Sequence, residues 1–286
     1  MIEIIEFTDP VCTWCWGSEP ILRKIETKYK GLVKIGFIMG GLVENMEDFR
    51  DEENGIGGEI SEVNKQIADH WMEASRRHGM PVKTEGFSFF TKDHVSTYPT
   101  NIAYKAAQFQ GEEIANRYLR RIREAVAAEA KQANQIEVLQ QLAKEVGLDE
   151  EKWLEYMNNG LAKLEFEKDL QLCRQFQIYA FPSYLVRNEE GKGMLLRGFQ
   201  TYETFLQAIK QLSHTEIKEQ QQFSKESIRK NIETLIEEYE TITLMELATI
   251  LDCSKEEVEP IIKELLAEGL IEKKDAGNGY LLKYKK

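Results

Sequence analysis

The chain has 286 residues, room for about two domains at ~150 residues each, and its 37 Lys and Arg against 49 Asp and Glu give a formal charge of −12. That balance argues against a protein built to blanket phosphate backbones, and 42% apolar with 30% charged residues excludes the disordered and collagen-like classes. No apolar run reaches the roughly 18 residues of a spanning helix, and the opening MIEIIEFTDP lacks a basic segment followed by an apolar one, so the chain reads as cytoplasmic with no membrane partner.

Residues 2 to 8 alternate and are rich in Ile and Phe, which predicts a strand that Asp9-Pro10 stops. Ile21, Leu22, Ile25 and Tyr29 then recur at helical spacing, with Pro20 expected to kink the helix, and Val33 to Met39 reads as a second strand. Residues 45 to 55 are acidic and polar. A long helical stretch follows: Ile60 to Arg77 stopped by Gly79, then about 99 to 110, 112 to 131, 135 to 146 capped by Asn134, 150 to 158 capped by Asp149, and Leu161 to about Gln175. Strand character returns at Phe181 to Val186, and a turn over Asn188 to Gly193 leads into a strand at Met194 to Gly198 and a helix from Tyr202 to Gln211. The order β-α-β, helices, β-β-α implies an α/β domain over 1–212 with one mixed sheet and a helical insertion at about 56–178.

The polar, Gln-rich stretch 213–223 suits a linker to a second domain at 224–286. A helix at Ser224 to Tyr239, two helices opened by capping boxes (Thr243 with Glu246, Ser254 with Glu257) and two short strands around Asp275 to Gly279 form a winged-helix arrangement. Its third helix carries Glu256, Glu257, Glu259, Glu264 and Glu268 against Lys255 and Lys263, which disfavours DNA. The basic residues Lys273, Lys274, Lys283, Lys285 and Lys286 lie in the wing and tail, so a protein-docking or dimerising role fits this domain better.

Chemistry concentrates at Cys12-Thr13-Trp14-Cys15. A thiolate at a helix N-terminus is stabilised by unpaired backbone donors and the dipole, and Cys12 occupies that position. Cys15, one turn on, is placed to resolve a mixed disulfide formed at Cys12. Zinc ligation and two structural cysteines are the competing readings. The other cysteines, Cys173 and Cys253, are isolated, and His70, His78, His94 and His214 show no ligand spacing, so no metal is expected. Asp9 is a candidate proton acceptor for the resolving thiol, against a plain turn-forming role, and Trp14 and Trp16 are candidates for an apolar substrate platform or for core packing. Cys173 reads as a small buried hydrophobe.

The Cys-x-x-Cys after the first strand, Pro20 five residues beyond it and Phe181-Pro182 opening a late strand together resemble the thioredoxin superfamily. The helical insertion, and the stretch Asp9 to Gly17, are similar to the DsbA family and its cytosolic FrnE-like, disulfide-isomerase branch over about residues 1–212. The resemblance implies a thiol-disulfide oxidoreductase acting on protein or small-molecule thiols and disulfides with a recycling reductant or oxidant and no organic cofactor. It also implies a cis-proline loop in which Phe181 and Pro182 receive the substrate backbone. Thr13-Trp14 replaces the Pro-His of periplasmic DsbA, and Thr13 supplies no charge to the thiolate, so a couple nearer thioredoxin's roughly −270 mV than DsbA's roughly −120 mV is expected.

A DsbA-like domain joined to a winged helix also resembles the SpxH-type adaptors of Gram-positive bacteria, which deliver a regulator to the Clp protease. That alternative makes the chain a binding module. The kappa glutathione transferase and hydroxychromene carboxylate isomerase branch typically has Ser at the active position with no second Cys, which Cys12 and Cys15 do not match.

Overall fold

The computed structural model describes residues 1–213, 218–221 and 223–285. The expected linker over 213–223 therefore lies partly outside the described residues. Strand β1 (Ile2–Thr8) pairs in parallel with β2 (Val33–Met39) through helix α1 (Thr13–Lys28), the β-α-β unit expected from the alternation. The two-residue strands β3 (Arg50–Asp51) and β4 (Ile56–Gly57) form a small hairpin where only polar chain was expected.

Six helices then intervene: α2 (Ile60–His78), α3 (Tyr98–Gln108), α4 (Glu112–Arg123), α5 (Ile136–Glu145), α6 (Glu150–Asn158) and α7 (Leu161–Gln175). The single helix expected over 112–131 ends instead in a π-helical turn at Glu124–Ala128. Asn134 does not cap α5. Gln135 takes that place, and the Asn134 amide donates to the carbonyls of Phe89, His94 and Ser96. Helix α1 runs through Pro20, which the curvature of a helix tolerates at the loss of one backbone donor. Strand β5 (Ser183–Asn188) is antiparallel to β1, β6 (Gly193–Arg197) is antiparallel to β5, and α8 (Tyr202–Leu212) closes the unit. The sheet order is β2-β1-β5-β6.

The pleat sends Ile2 and Ile4 of β1 to one face, against Leu22 and Ile25 of α1 and Phe205 and Ile209 of α8. Phe7 faces the other way, against Cys173 of α7 and Ile178. The insertion builds its own core around Trp71, Phe89, Tyr118 and Trp153, which Trp16 of α1 joins.

Residues beyond the linker form a short 3-10 turn and α9 (Ile228–Glu238), β7 (Ile242–Thr243), α10 (Leu244–Leu251), α11 (Lys255–Ala267) and the hairpin β8 (Ile271–Asp275) and β9 (Tyr280–Tyr284). Both expected capping boxes are present, and the strands order as β7-β9-β8. This unit packs on α1. Glu246 of α10, fully buried, accepts two bonds from Arg120 at 2.7 and 3.1 Å and pairs with Arg23 at 3.0 Å. Lys24 and Lys28 both pair with Asp252, and Arg23 stacks 4.3 Å from the Tyr239 ring. The hairpin turn reaches the loop after α2, where Asn278 accepts from Val82 N at 2.8 Å.

Gly277 sits in that turn at φ +71, and a Cβ there would lie 2.3 Å from the Val82 carbonyl. Gly277→Ala should therefore cost at least about 2 kcal/mol, from left-handed strain plus the clash. The loss should appear as a lowered Tm and faster proteolysis within residues 224–285.

Candidate functional site

Cys12 is the N-cap of α1, in extended conformation, so its side chain stands over the first helical turn. Its Sγ accepts from the Cys15 backbone N–H at 3.2 Å, and the thiol donates to the Phe181 carbonyl at 3.6 Å. Both thiols are free; Cys12 is 6% exposed and Cys15 is sealed behind it. Burial, the hydrogen bond and charge of Cys12, and the Glu6 carboxylate together raise the Cys15 pKa well above the ordinary thiol range, with Arg123 opposing.

The Phe181-Pro182 peptide bond is cis. Phe181 reaches across to Gly40, at the end of β2, where a Cβ would lie 2.0 Å from its ring, so the position must be glycine for the loop to close on Cys12. The Pro182 carbonyl accepts from Gly198 N at 2.9 Å. Half-buried Trp14 packs against Phe199, His70 and His78, giving the mouth an apolar wall beside Cys12. Phe199 and Phe176 are exposed, and Tyr179, on the same loop as Phe181, is 80% exposed.

Trp16 is not part of this wall. It is buried, donates from Nε1 to the Pro81 carbonyl at 2.9 Å, and belongs to the core. Gly17 lets α2 approach, because a Cβ there would meet the His78 ring at 2.5 Å. His78 accepts from Met80 N through Nδ1, and burial pushes its pKa down to about 4. Thr13 is buried, and its hydroxyl has no hydrogen-bond partner among the described residues. Cys173 is buried, with its pKa pushed up to about 12 by burial and then by Asp169, as suits a small hydrophobe.

Asp9 is engaged elsewhere than at the thiols. Its carboxylate accepts from Val11 N and Leu42 N at 2.8 and 2.7 Å, and from Thr97 Oγ1 and Asn101 Nδ2, both at 2.8 Å. Four donors explain the placement: Asp9 ties the end of β1 to the loop after β2 and to α3. The carboxyl acting on Cys15 is Glu6, two residues along β1 from Ile4 on the same buried face. Glu6 Oε2 accepts from Arg123 at 2.9 Å, and Oε1 is buried with no partner among the described residues. Burial raises its pKa to about 7, against the pull of Arg123. The sequence held a signal for this residue: alternation puts Glu6 on the face of Ile2 and Ile4, where an acid needs a partner or a task.

Among the described residues no three His, Cys, Asp or Glu side chains gather as a metal site, and no helix is long and apolar enough to cross a membrane.

Residues 6–207 match the family model described as Thioredoxin, and residues 201–280 match that of the PCI domain. The ClpXP adapter protein SpxH of Halalkalibacterium halodurans is 24% identical over 95% of this chain and 85% of its own. The ClpXP adapter protein SpxH of Bacillus subtilis is 24% identical over 99% of this chain and 89% of its own. Among solved structures, the cytosolic disulfide reductase DsbM of Pseudomonas aeruginosa is 19% identical and superposes with a TM-score of 0.58, covering 74% of this chain and 100% of its own.

Asp9→Ala leaves buried donors unpaired and should cost about 3 kcal/mol or more in urea denaturation. For Glu6 the folded pKa of about 7 lies above the ordinary 4.5, so between those values the native state holds more protons than the unfolded one. The stability of the protein relative to Glu6→Gln should fall as pH rises across that window and be flat outside it, as read from urea titrations between about pH 4 and about pH 8.

Proposed function

The chain belongs to the thioredoxin family that residues 6–207 match, and on that premise we propose that it is a cytoplasmic adapter of the ClpXP type, delivering a regulator to the Clp protease. One observation carries this reading: the likeness to the SpxH adapters runs through the thioredoxin part and the C-terminal unit alike, over 95% and 99% of the chain. The buried pairs of Glu246 with Arg120 and Arg23 support it, because they join the two units into one surface. Residues 1–212 and 224–286 act in this reading as two domains presenting one client, with the winged-helix-like domain as a protein-docking element. The apolar mouth of Trp14, Phe181 and Phe199 is the client face of the first domain.

A second reading, thiol-disulfide exchange, is favoured by the pairing of Cys12 at the helix N-cap with a buried free Cys15 and with the Phe181 carbonyl opposite. In it the Cys12 thiolate attacks a client disulfide and displaces one client sulfur as a thiolate. Cys15 then gives its proton to Glu6 and attacks the Cys12 sulfur. The client leaves as a dithiol, its two electrons drawn from the pair, and Cys12 and Cys15 are left joined until a recycling reductant restores them. Phe181 and Pro182 hold the client backbone, Trp14 its apolar side chains, and Asp9 and Thr13 shape the turn.

Tagged wild type, Cys15→Ala and Cys12→Ser/Cys15→Ala are isolated with free thiols blocked, and bound proteins are eluted before and after dithiothreitol. The adapter reading expects one partner held equally by all three, not released by reductant, whose degradation by purified ClpXP is accelerated by at least about tenfold, the gain of a tethered encounter. Partners bound only to Cys15→Ala and released only by reductant would replace it with thiol exchange. A glutathione titration should place the Cys12–Cys15 couple nearer thioredoxin's roughly −270 mV than DsbA's roughly −120 mV.

A further inference from the structure

The charges of Glu6 and Arg123, which act on Cys15, belong to a continuous row of buried charges that crosses between the two units. Arg123, with no exposed side-chain surface, holds Glu6 at 2.9 Å through one terminal nitrogen and Glu19 through the other. Glu19 is shared with Arg120 at 3.4 Å. Arg120 in turn lies 4.4 Å over the ring of Trp16, the residue next to Cys15, and is clamped by Glu124 at 2.8 Å and by both oxygens of Glu246. Arg23 closes the row, pairing with Glu246 and donating to the Thr241 carbonyl at 3.0 Å. Every charged side chain named in this row except Glu246 comes from the thioredoxin part, and the Thr241 carbonyl too is supplied by the C-terminal unit.

We infer that Glu246, supplied by the C-terminal unit, is a positioning residue for the Cys12–Cys15 couple: it fixes Arg120 against Trp16 and Glu19 and so sets the field in which Cys15 gains or loses its proton. Buried charges act on one another with little screening, so a carboxylate removed at one end is felt along the row. The surrounding values fit such a row. Burial pushes Glu19 up, but Arg123, Arg120 and Arg23 outweigh it and hold its pKa at about 2, while Glu6, with one arginine only, sits at about 7. Neutralising Glu246 leaves the row more positive, which stabilises the thiolate over the thiol and so disfavours the disulfide at alkaline pH, where the thiolate is populated. The inference is independent of whether the couple turns over on clients or serves an adapter as a sensor.

The test is the equilibrium of the intact chain with glutathione, in which the dithiol and one oxidised glutathione give the Cys12–Cys15 disulfide and two reduced glutathiones. Glu246→Gln keeps an oxygen for the Thr243 N–H and removes the charge. With the titration carried up through alkaline pH until the Cys15 thiolate is populated, its equilibrium constant for disulfide formation there should fall about threefold to tenfold below the wild type's, the scale of one unit charge acting through a protein interior. Asp252→Asn weakens the same interface at its half-exposed edge and should leave the constant unchanged. An unchanged constant in a folded Glu246→Gln protein, or an equal shift in Asp252→Asn, overturns the inference. Coupling is reciprocal, so hydrogen exchange on the wild type is a second measurement that needs no variant. Amides of α10 should be protected to different extents in the dithiol and disulfide forms, and equal protection overturns the inference even if Glu246→Gln does not fold.

Discussion

An arginine with no exposed side-chain surface survives only where carboxylates surround it, because removing a guanidinium from water costs several kcal/mol unless it is paired. Arg123 meets that condition with Glu6 from the central strand pair, Glu19 from α1 and the Thr8 hydroxyl at 2.6 Å. Three segments distant in sequence are therefore held in one arrangement: the sheet, the helix that begins at Cys12 and the inserted helical block that supplies Arg123. Shifting α4 by a residue would strand the guanidinium, so the insertion has a single seat on the sheet. The electrostatic setting of Cys15 and the docking surface for the C-terminal unit both follow from that seat, since Arg120 lies one turn before Arg123 on the same helix.

Both proposed readings use the same surface around Cys12, and the same physics serves both. In each, the apolar wall of Trp14 and Phe199 would meet a polypeptide, whether it is then attacked at sulfur or only held. What separates the readings lies outside the mouth. A fold hosts many functions, and the C-terminal unit is built into this one by a fully buried acid, an investment that exchange of electrons through two thiols does not require.

Much of this was legible from residue order alone. Period-two alternation located β1, Cys12 fell at a helix N-terminus, and the boxes at Thr243 and Ser254 opened helices where their spacing said they should. What escaped depends on partners far along the chain. Local propensity at Glu124 to Ala128 favours an ordinary helix, and the π-helical turn there leaves no mark in the sequence. Asp9 drew attention by closeness to Cys12, yet its donors come from Leu42, Thr97 and Asn101, which no local window joins to it. Glu6 was overlooked although its register was readable. Which face of β1 meets Arg123 is decided by a helix more than a hundred residues away in the sequence, with |i−j| of 117.

The order of the small sheet, β7-β9-β8, has a mechanical meaning. The last strand of the chain is the central one, laddered to Ile242 and Thr243 on one side and to the whole of β8 on the other. Traction on the C-terminal end therefore loads two sets of backbone bonds together, where an edge strand would unzip one bond at a time. Behind them stand the buried arginine pairs of α10, so β9 is backed by the ion pairs that join the C-terminal unit to α1 and α4.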